Sequence, residues 1–118
     1  MTTVSNVAVA LVALVHVYFL VLEMFLWDKP RGLRTFGITP EFALASKSLA
    51  ANQGLYNGFL AAGLVWGLAL GAPGDSIKIF FLACIIVAGV FGAITANLKI
   101  LWVQAAPGII ALGLVLSS

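Results

Sequence analysis

The sequence predicts an all-α integral membrane protein built as a bundle of four transmembrane helices. Of its 118 residues, 63% are hydrophobic and only 8% are charged, whereas about a quarter of an average soluble domain is charged. Too few polar residues are present to cover a water-facing surface. Four apolar stretches meet the length of about 20 residues with which a helix crosses a bilayer.

Helix breakers and charges separate the predicted helices, which lie at about residues 4–27, 48–70, 77–96 and 100–116. The first begins without a basic segment and lacks a clear cleavage site, so we interpret it as a retained span rather than a secretory signal. Segment 28–47 contains four helix breakers, Pro30, Gly32, Gly37 and Pro40. It is predicted to be an interfacial loop, and residues 1–118 are predicted to form one membrane domain.

The basic residues predict the orientation, because positively charged loops are retained on the cytoplasmic side. Only Lys78 falls on one side of the predicted bundle, while five basic residues fall on the other, namely Lys29, Arg31, Arg34, Lys47 and Lys99. With four crossings, both termini then lie on the non-cytoplasmic side. The predicted location is the inner (plasma) membrane of the cell, in which the chain is a multi-pass protein.

Two shorter connections complete the predicted bundle. Gly71 to Asp75 predicts a tight turn, after which Asp75 or Ser76 caps the third helix. Pro107 lacks a backbone donor and predicts a kink in the fourth helix just after Gln104. Small residues recur every fourth position, as in Gly63, Gly67 and Gly71 or in Ala88, Gly92 and Ala96. Such strips pack helices within one bundle or pack a second copy of the chain, and both alternatives stay open.

Polar side chains within the apolar spans are the candidate site residues, because a charged group near the centre of a membrane helix costs at least ~2.5 kcal/mol. Glu23 lies two helical turns beyond His16 on nearly the same face. Counted inward from the predicted cytoplasmic ends, one layer contains Glu23, Asn52, Gln53 and Gln104, and a deeper layer contains His16, Tyr56 and Asn57. The predicted site is a polar ligand-binding pocket, open to the cytoplasmic half of the bundle and lined by these seven residues.

A structural interpretation competes with the functional one at each position. Amides in membrane helices also stabilise packing, by about 0.6 kcal/mol for each hydrogen bond. This fits Asn52, Gln53 and Asn57, whereas a buried carboxylate such as Glu23 would be better replaced by glutamine if packing were its only purpose. Glu23 could instead extend to the interface one turn away. His16 is either a packed neutral imidazole or a group that transfers protons.

The sequence lacks the residue patterns of several common kinds of functional site. One cysteine, Cys84, permits no internal disulfide, and one histidine with one glutamate makes too small a ligand set for a metal. No metal or other cofactor is therefore predicted. Six dispersed cations do not form a phosphate-tracking surface, so nucleic acid is not an expected partner. No phosphate-binding glycine loop, nucleophile elbow or hydrolytic triad occurs in the sequence.

Three segments carry a resemblance to a known family: HVYFLVLEMFLW from His16, NQGLYNGFLAAGL from Asn52 and KILWVQAAPGIIALGL from Lys99. The chain resembles the small bacterial and fungal membrane proteins grouped as domain of unknown function 1304 (DUF1304), over nearly its whole length. The motif positions are His16, Glu23, Trp27, Asn52, Gln53, Tyr56, Asn57, Gln104 and Pro107. The resemblance implies a four-helix inner-membrane protein and no particular activity.

The leading hypothesis is that the pocket binds or transports a small polar or cationic molecule, or carries protons. Glu23 and His16 would hold the ligand, supported by the amides. The alternative is an intramembrane isomerase or related enzyme that acts on a lipophilic substrate, with His16 and Glu23 as proton donor and acceptor. A third is a non-catalytic accessory subunit. The sequence does not decide whether the chain is an enzyme.

Overall fold

The computed structural model describes residues 2–118, in which all regular structure is helical and no residue forms a strand. The α-helices are α1 (Thr2–Met24), α2 (Pro30–Phe36), α3 (Pro40–Ala69), α4 (Asp75–Thr95) and α5 (Ala106–Ser117). A 3-10 turn, Ala72–Gly74, precedes α4, and a π-helical segment, Leu101–Ala105, precedes α5. The all-α class predicted from composition and hydropathy is confirmed.

The chain forms two compact units. The hairpin unit is Val15–Phe59, which contains the C-terminal part of α1, all of α2 and the first two thirds of α3. The bundle unit combines Met1–Leu14 with Leu60–Ser118 and contains the N-terminal part of α1 and the last third of α3 together with α4 and α5. Whether all residues act as one membrane domain stays a prediction.

Four helices contribute to the core of the bundle unit. Leu64, Leu82 and Ile85 are fully buried in it. The whole buried cluster is Val9, Val12, Ala13, Ala61, Leu64, Leu82, Ile85, Ala111 and Val115, with members from α1, α3, α4 and α5. Because lipid tails are as apolar as leucine, close packing rather than escape from water stabilises such contacts in a membrane.

Glycines allow the backbones of the bundle unit to approach one another closely. A Cβ atom on Gly89 of α4 would lie 2.6 Å from the backbone nitrogen of Ala105, and one on Gly74 would lie 2.0 Å from the carbonyl oxygen of Gly67. Gly63 faces the ring of Phe81 in the same way. The small residues in the last third of α3 therefore pack inside the unit, which is one of the two alternatives that the sequence left open.

Segment 28–47 is more helical than predicted. It contains α2, and α3 begins at Pro40 rather than near Ser48. Thr39 caps α3, because its Oγ1 accepts a hydrogen bond from the backbone N–H of Phe42 at 3.2 Å. Proline is favoured in the first turn, where its missing N–H has no partner to lose, so Pro40 starts this helix instead of breaking one.

Local sequence also accounts for the ends of α2, and the ends of α1 and α4 differ from the prediction. α2 begins at Pro30 and ends at Gly37, whose φ of 63° is a left-handed conformation that favours glycine. α1 ends at Met24, a few residues before the predicted end at Trp27. The predicted cap on α4 is wrong: its N-cap is Gly74 without a side-chain hydrogen bond.

The predicted distortion around Pro107 takes the form of the π-helical segment Leu101–Ala105. The backbone N–H of Ala106 bonds to the carbonyl of Leu101, five residues earlier. Pro107 cannot donate to the carbonyl of Val103, and its ring would collide with that carbonyl. The helical turn ahead of the proline therefore contains one extra residue. Gln104 lies inside the widened turn.

Two helical stretches are long and apolar enough to cross a membrane, by length and composition. They are Thr2–Met24, with mean hydropathy 2.4, and Ala72–Thr95, with mean hydropathy 2.6. Leu101–Ser117 is a shorter apolar helix. The three amides Asn52, Gln53 and Asn57 lower the hydropathy of α3. The four-span arrangement and the side on which the termini lie therefore stay predictions.

Candidate functional site

Glu23 of α1 and Asn57 of α3 form the centre of the candidate site. Asn57 Nδ2 donates a hydrogen bond to Glu23 Oε1 at 2.5 Å, and both residues are half-buried. The bond joins two helices of the hairpin unit at the last turn of α1. The depth count from sequence placed these two residues in different layers, whereas the structure bonds them directly to each other.

Small residues of α3 bring its backbone against α1 at this point. A Cβ atom on Gly54 would lie 2.6 Å from Met24 Cγ and 3.1 Å from Glu23 Cβ. One on Gly58 would lie 2.7 Å from Leu20 Cδ1. The two glycines flank Asn57 along α3, so their close approach lets a side chain as short as asparagine reach the carboxylate.

A second polar pair lies on the surface of α3. Asn52 Nδ2 donates to the hydroxyl of Tyr56 at 3.0 Å, as the predicted spacing of four residues allows. Both side chains are exposed, Tyr56 to 47%. Gln53, on the neighbouring turn, is exposed as well. The side chains of these residues can donate and accept hydrogen bonds, whereas residues 60–69 at the other end of α3 are apolar.

His16 and Gln104 complete the predicted set. His16 is buried, with 1% of its surface exposed, and its ring meets Phe19 edge-on with centroids 6.0 Å apart. It lies about 10 Å before Glu23 along the axis of α1, at 1.5 Å per residue. Gln104 is half-buried and belongs to the bundle unit. The structure thus brings together Glu23 with Asn57, and Asn52 with Tyr56.

A network at the end of the hairpin unit was not predicted. Trp27 Nε1 donates to Ser46 Oγ at 3.1 Å, and its ring packs at a tilt of 48° against Phe36 with centroids 4.9 Å apart. Lys47 Nζ lies 3.0 Å from Asp28 Oδ2. The hydrogen bond from Lys47 lowers the pKa of the Asp28 carboxyl below its ordinary value of 3.8. Because the helix breakers predict a loop over residues 28–47, no pattern in the sequence pairs these residues.

The bundle unit contains a buried cation that was also missed. Lys78 is 3% exposed, its Nζ lies 3.0 Å from Asp75 Oδ1, and it donates to Asn6 Oδ1 at 3.3 Å. From the sequence, Lys78 is predicted only as a charge on the non-cytoplasmic side and Asp75 only as a cap. Their spacing of three residues on one helix was the available signal for the pair.

Two further features bear on what can bind. Within residues 2–118, no group of three His, Cys, Asp or Glu side chains is placed to hold a metal ion. A groove of about 460 Å3 on α4 is apolar, lined by Phe80, Ala83, Cys84, Val87, Ala88 and Phe91. The predicted polar pocket remains a prediction.

Known proteins match the chain over most of its length. A family model described as a protein of unknown function, DUF1304, matches residues 10–116. The uncharacterized protein YpaA of Lactococcus lactis subsp. lactis (strain IL1403) is 32% identical over 114 residues, which cover 95% of this chain and 96% of that protein. No solved structure matches. The resemblance inferred from the three sequence segments is confirmed.

Proposed function

We propose that this chain, which belongs to the DUF1304 family of proteins of unknown function, is a multi-pass membrane protein that binds a small cation or protons at Glu23. Its spans would be α1, residues 48–69 of α3, α4, and the π-helical segment with α5. The mean hydropathies of α1 and of Ala72–Thr95 support two of these spans directly. The distribution of basic residues would place the end of α1, α2 and the start of α3 at the cytoplasmic face.

The hydrogen bond from Asn57 to Glu23 is the observation that carries the proposal. An amide donates a hydrogen bond but brings no positive charge, so it stabilises the carboxylate without neutralising it. Within a membrane, an uncompensated carboxylate is costly. A proton or a bound cation would supply the missing positive charge, and exchange of that cation is a function that such a site can perform.

The half-burial of Glu23 and Asn57 supports access from the cytoplasmic half. Glu23 is in the last turn of α1, and the exposed amides Asn52 and Gln53 precede Asn57 on α3. These amides would contact the polar parts of a ligand on its way to the carboxylate. The proposed ligand is therefore a small polar or cationic molecule, with Glu23 as its charge partner and Asn57 as the group that orients the carboxylate.

The test compares two carboxylates of the same chain. Glu23→Gln keeps an oxygen for Asn57 but removes the charge, and Glu41→Gln makes the same change at an exposed position at the start of α3. We expect wild type and Glu41→Gln to bind tetraphenylphosphonium, used as a cationic probe, by calorimetry in detergent. We expect Glu23→Gln to lose this binding. Equal binding by all three proteins would contradict the proposal.

Proton movement is measured in sealed vesicles that contain a pH-sensitive dye. We expect a gradient-driven flux in wild type and in Glu41→Gln that is absent in Glu23→Gln. An enzyme would instead convert its substrate in detergent without a gradient. Folded proteins that neither bind the probe nor move protons would favour the accessory-subunit alternative.

A further inference from the structure

The net charge of the chain is concentrated in one segment. Residues 28–47 contain four basic side chains and two acidic ones, and all other residues together contain two of each. The whole formal net charge of +2 therefore lies between the end of α1 and the first turns of α3. Such a concentration produces a local positive potential that the composition alone does not reveal.

The cations of this segment are not equivalent. Lys47 is paired with Asp28 at 3.0 Å. Glu41 lies in the first turn of α3, where the helix dipole favours a negative charge. The other cations, Lys29, Arg31 and Arg34, are all exposed and lie on α2 or just before it.

The orientation of α2 is fixed by its buried side. A Cβ atom on Gly32 would lie 2.0 Å from the carbonyl oxygen of Leu26, so the backbone of α2 lies directly against the chain that follows α1. The ring of Phe36 packs against the ring of Trp27. Arg31 and Arg34 are exposed and one turn apart on α2. The helix therefore presents two arginines on its outer surface.

Arg31 is held in place by a second contact. Its Nη1 donates a hydrogen bond to the hydroxyl of Tyr18 at 3.0 Å, which joins α2 to α1. A guanidinium has five N–H donors in a rigid fork, so one bond to a tyrosine leaves donors for a phosphate. Fixing the side chain in advance reduces the entropy lost when an anion binds.

We propose that α2 is a docking element for the anionic phosphodiester headgroups of the cytoplasmic leaflet. Arg31 and Arg34 contact the headgroups, and Lys29 adds to the local potential. This inference rests on the membrane placement in the proposed function, because it requires α2 to lie at the bilayer surface. Charge complementarity selects the partner: basic side chains at the end of a membrane helix attract acidic lipids.

The experiment measures the thermal stability of the delipidated protein in detergent as lipid is added. We expect phosphatidylglycerol to raise the Tm of wild type. We expect no change in Tm from either of two controls, phosphatidylcholine with the same acyl chains or inorganic phosphate alone. Because each cation near an anionic surface changes affinity by about fivefold, the midpoint concentration rises about fivefold in Arg34→Gln and about 25-fold in Arg31→Gln/Arg34→Gln.

Matched variants keep the inference falsifiable. Lys99→Gln removes one exposed cation of the same predicted face that lies outside α2, and we expect it to shift the midpoint less than Arg34→Gln does; an equal shift would show a response to total charge and not to α2. Arg34→Gln leaves the Arg31–Tyr18 hydrogen bond intact, so its result is informative even if the double variant does not fold. Tyr18→Phe releases Arg31 without changing the charge and gives a midpoint between those of wild type and the double variant.

Three results would overturn the inference: equal stabilisation by both lipids, an equal effect of free phosphate, or an unchanged midpoint in Arg34→Gln. Glu23→Gln separates this inference from the site function, because we expect it to lose tetraphenylphosphonium binding and to keep the response to phosphatidylglycerol. If cation binding fails and the lipid response persists, only the proposed site function fails. If the lipid response fails and cation binding persists, only the docking inference fails.

Discussion

The two units differ in how the charged side chain in each is paired. In the bundle unit, the buried cation Lys78 lies 3.0 Å from a carboxylate of its own helix, Asp75, and donates to Asn6 as well. In the hairpin unit, the half-buried carboxylate Glu23 is bonded to a neutral amide, Asn57. One charge is compensated within the unit, and the other has a partner that brings no charge.

This difference indicates which cluster is structural. A paired buried charge holds helices in one arrangement, and its removal leaves the other charge uncompensated. A carboxylate bonded only by an amide within its unit is suited to exchange a proton or a cation, because the exchange does not break an ion pair. We therefore predict that stability depends on Asp75, Lys78 and Asn6, the bundle cluster, and that binding depends on Glu23 and Asn57, the hairpin cluster.

The largest expected effect is on stability, from Asp75→Asn. This change keeps the shape of the side chain but leaves the ammonium of Lys78, which is 3% exposed, without its negative partner. Breaking a buried pair costs 3–5 kcal/mol, and the partial exposure of Asp75 reduces this to about 2 kcal/mol. Chemical unfolding in detergent measures the loss. Lys78→Met, which removes the charge and keeps the stem, costs less, and a larger cost for Lys78→Met would contradict the structural assignment.

Two glycine variants separate stability from binding. Gly89→Ala places a methyl group against the backbone of Ala105 and costs about 2 kcal/mol of stability, with tetraphenylphosphonium binding retained. Gly54→Ala meets the flexible side chain of Met24 first, so it costs about 1 kcal/mol, but it moves Asn57 away from Glu23 and weakens binding. Unfolding curves and calorimetry on both variants test this. The comparison fails if Gly89→Ala is the variant that loses binding.

A smaller effect on stability is expected from Glu23→Gln. Glutamine retains an oxygen that accepts from Asn57 Nδ2, so the interhelical bond persists and the free energy of unfolding changes by less than about 1 kcal/mol. The same variant loses cation binding. A loss of stability as large as that of Asp75→Asn would show that Glu23 is a structural residue.

The smallest effect concerns Asp28 and Lys47 at the exposed end of the hairpin unit. Since folding lowers the pKa of Asp28, the ion pair stabilises the protein above pH 3.8, the ordinary value, and this contribution is lost as the pH falls through the lowered pKa. The Tm difference between wild type and Asp28→Asn should therefore shrink below pH 3.8. A difference that stays constant between neutral and acidic pH would contradict the pairing.

The helical class could be predicted because composition and apolar run length are sufficient for it. The candidate polar residues followed from the rarity of such groups in apolar segments. Their pairing could not be predicted, because it depends on how far α1 and α3 are shifted along each other and on the close approach at Gly54 and Gly58, which no local pattern gives. The sequence Thr39-Pro40-Glu41 is a helix start, and a rule that uses proline only as a helix breaker predicts a loop there instead.

The bundle cluster shows a different limit of the sequence. Asp75 and Lys78 are close in the chain, but Asn6 is far from both, and a long-range contact of this kind leaves no local pattern. Likewise, Tyr18 and Arg31 come together only because α2 folds back on the end of α1. Both contacts depend on tertiary geometry that no local pattern in the sequence reveals.

The central claim is that Glu23 is neutralised by an exchangeable cation or proton. The most direct measurement is the infrared difference spectrum in the carboxyl region on addition of tetraphenylphosphonium, recorded for wild type, Glu23→Gln and Glu41→Gln. We predict a carboxyl signal in wild type and in Glu41→Gln that is absent from Glu23→Gln. A signal of equal size in Glu23→Gln would contradict the claim.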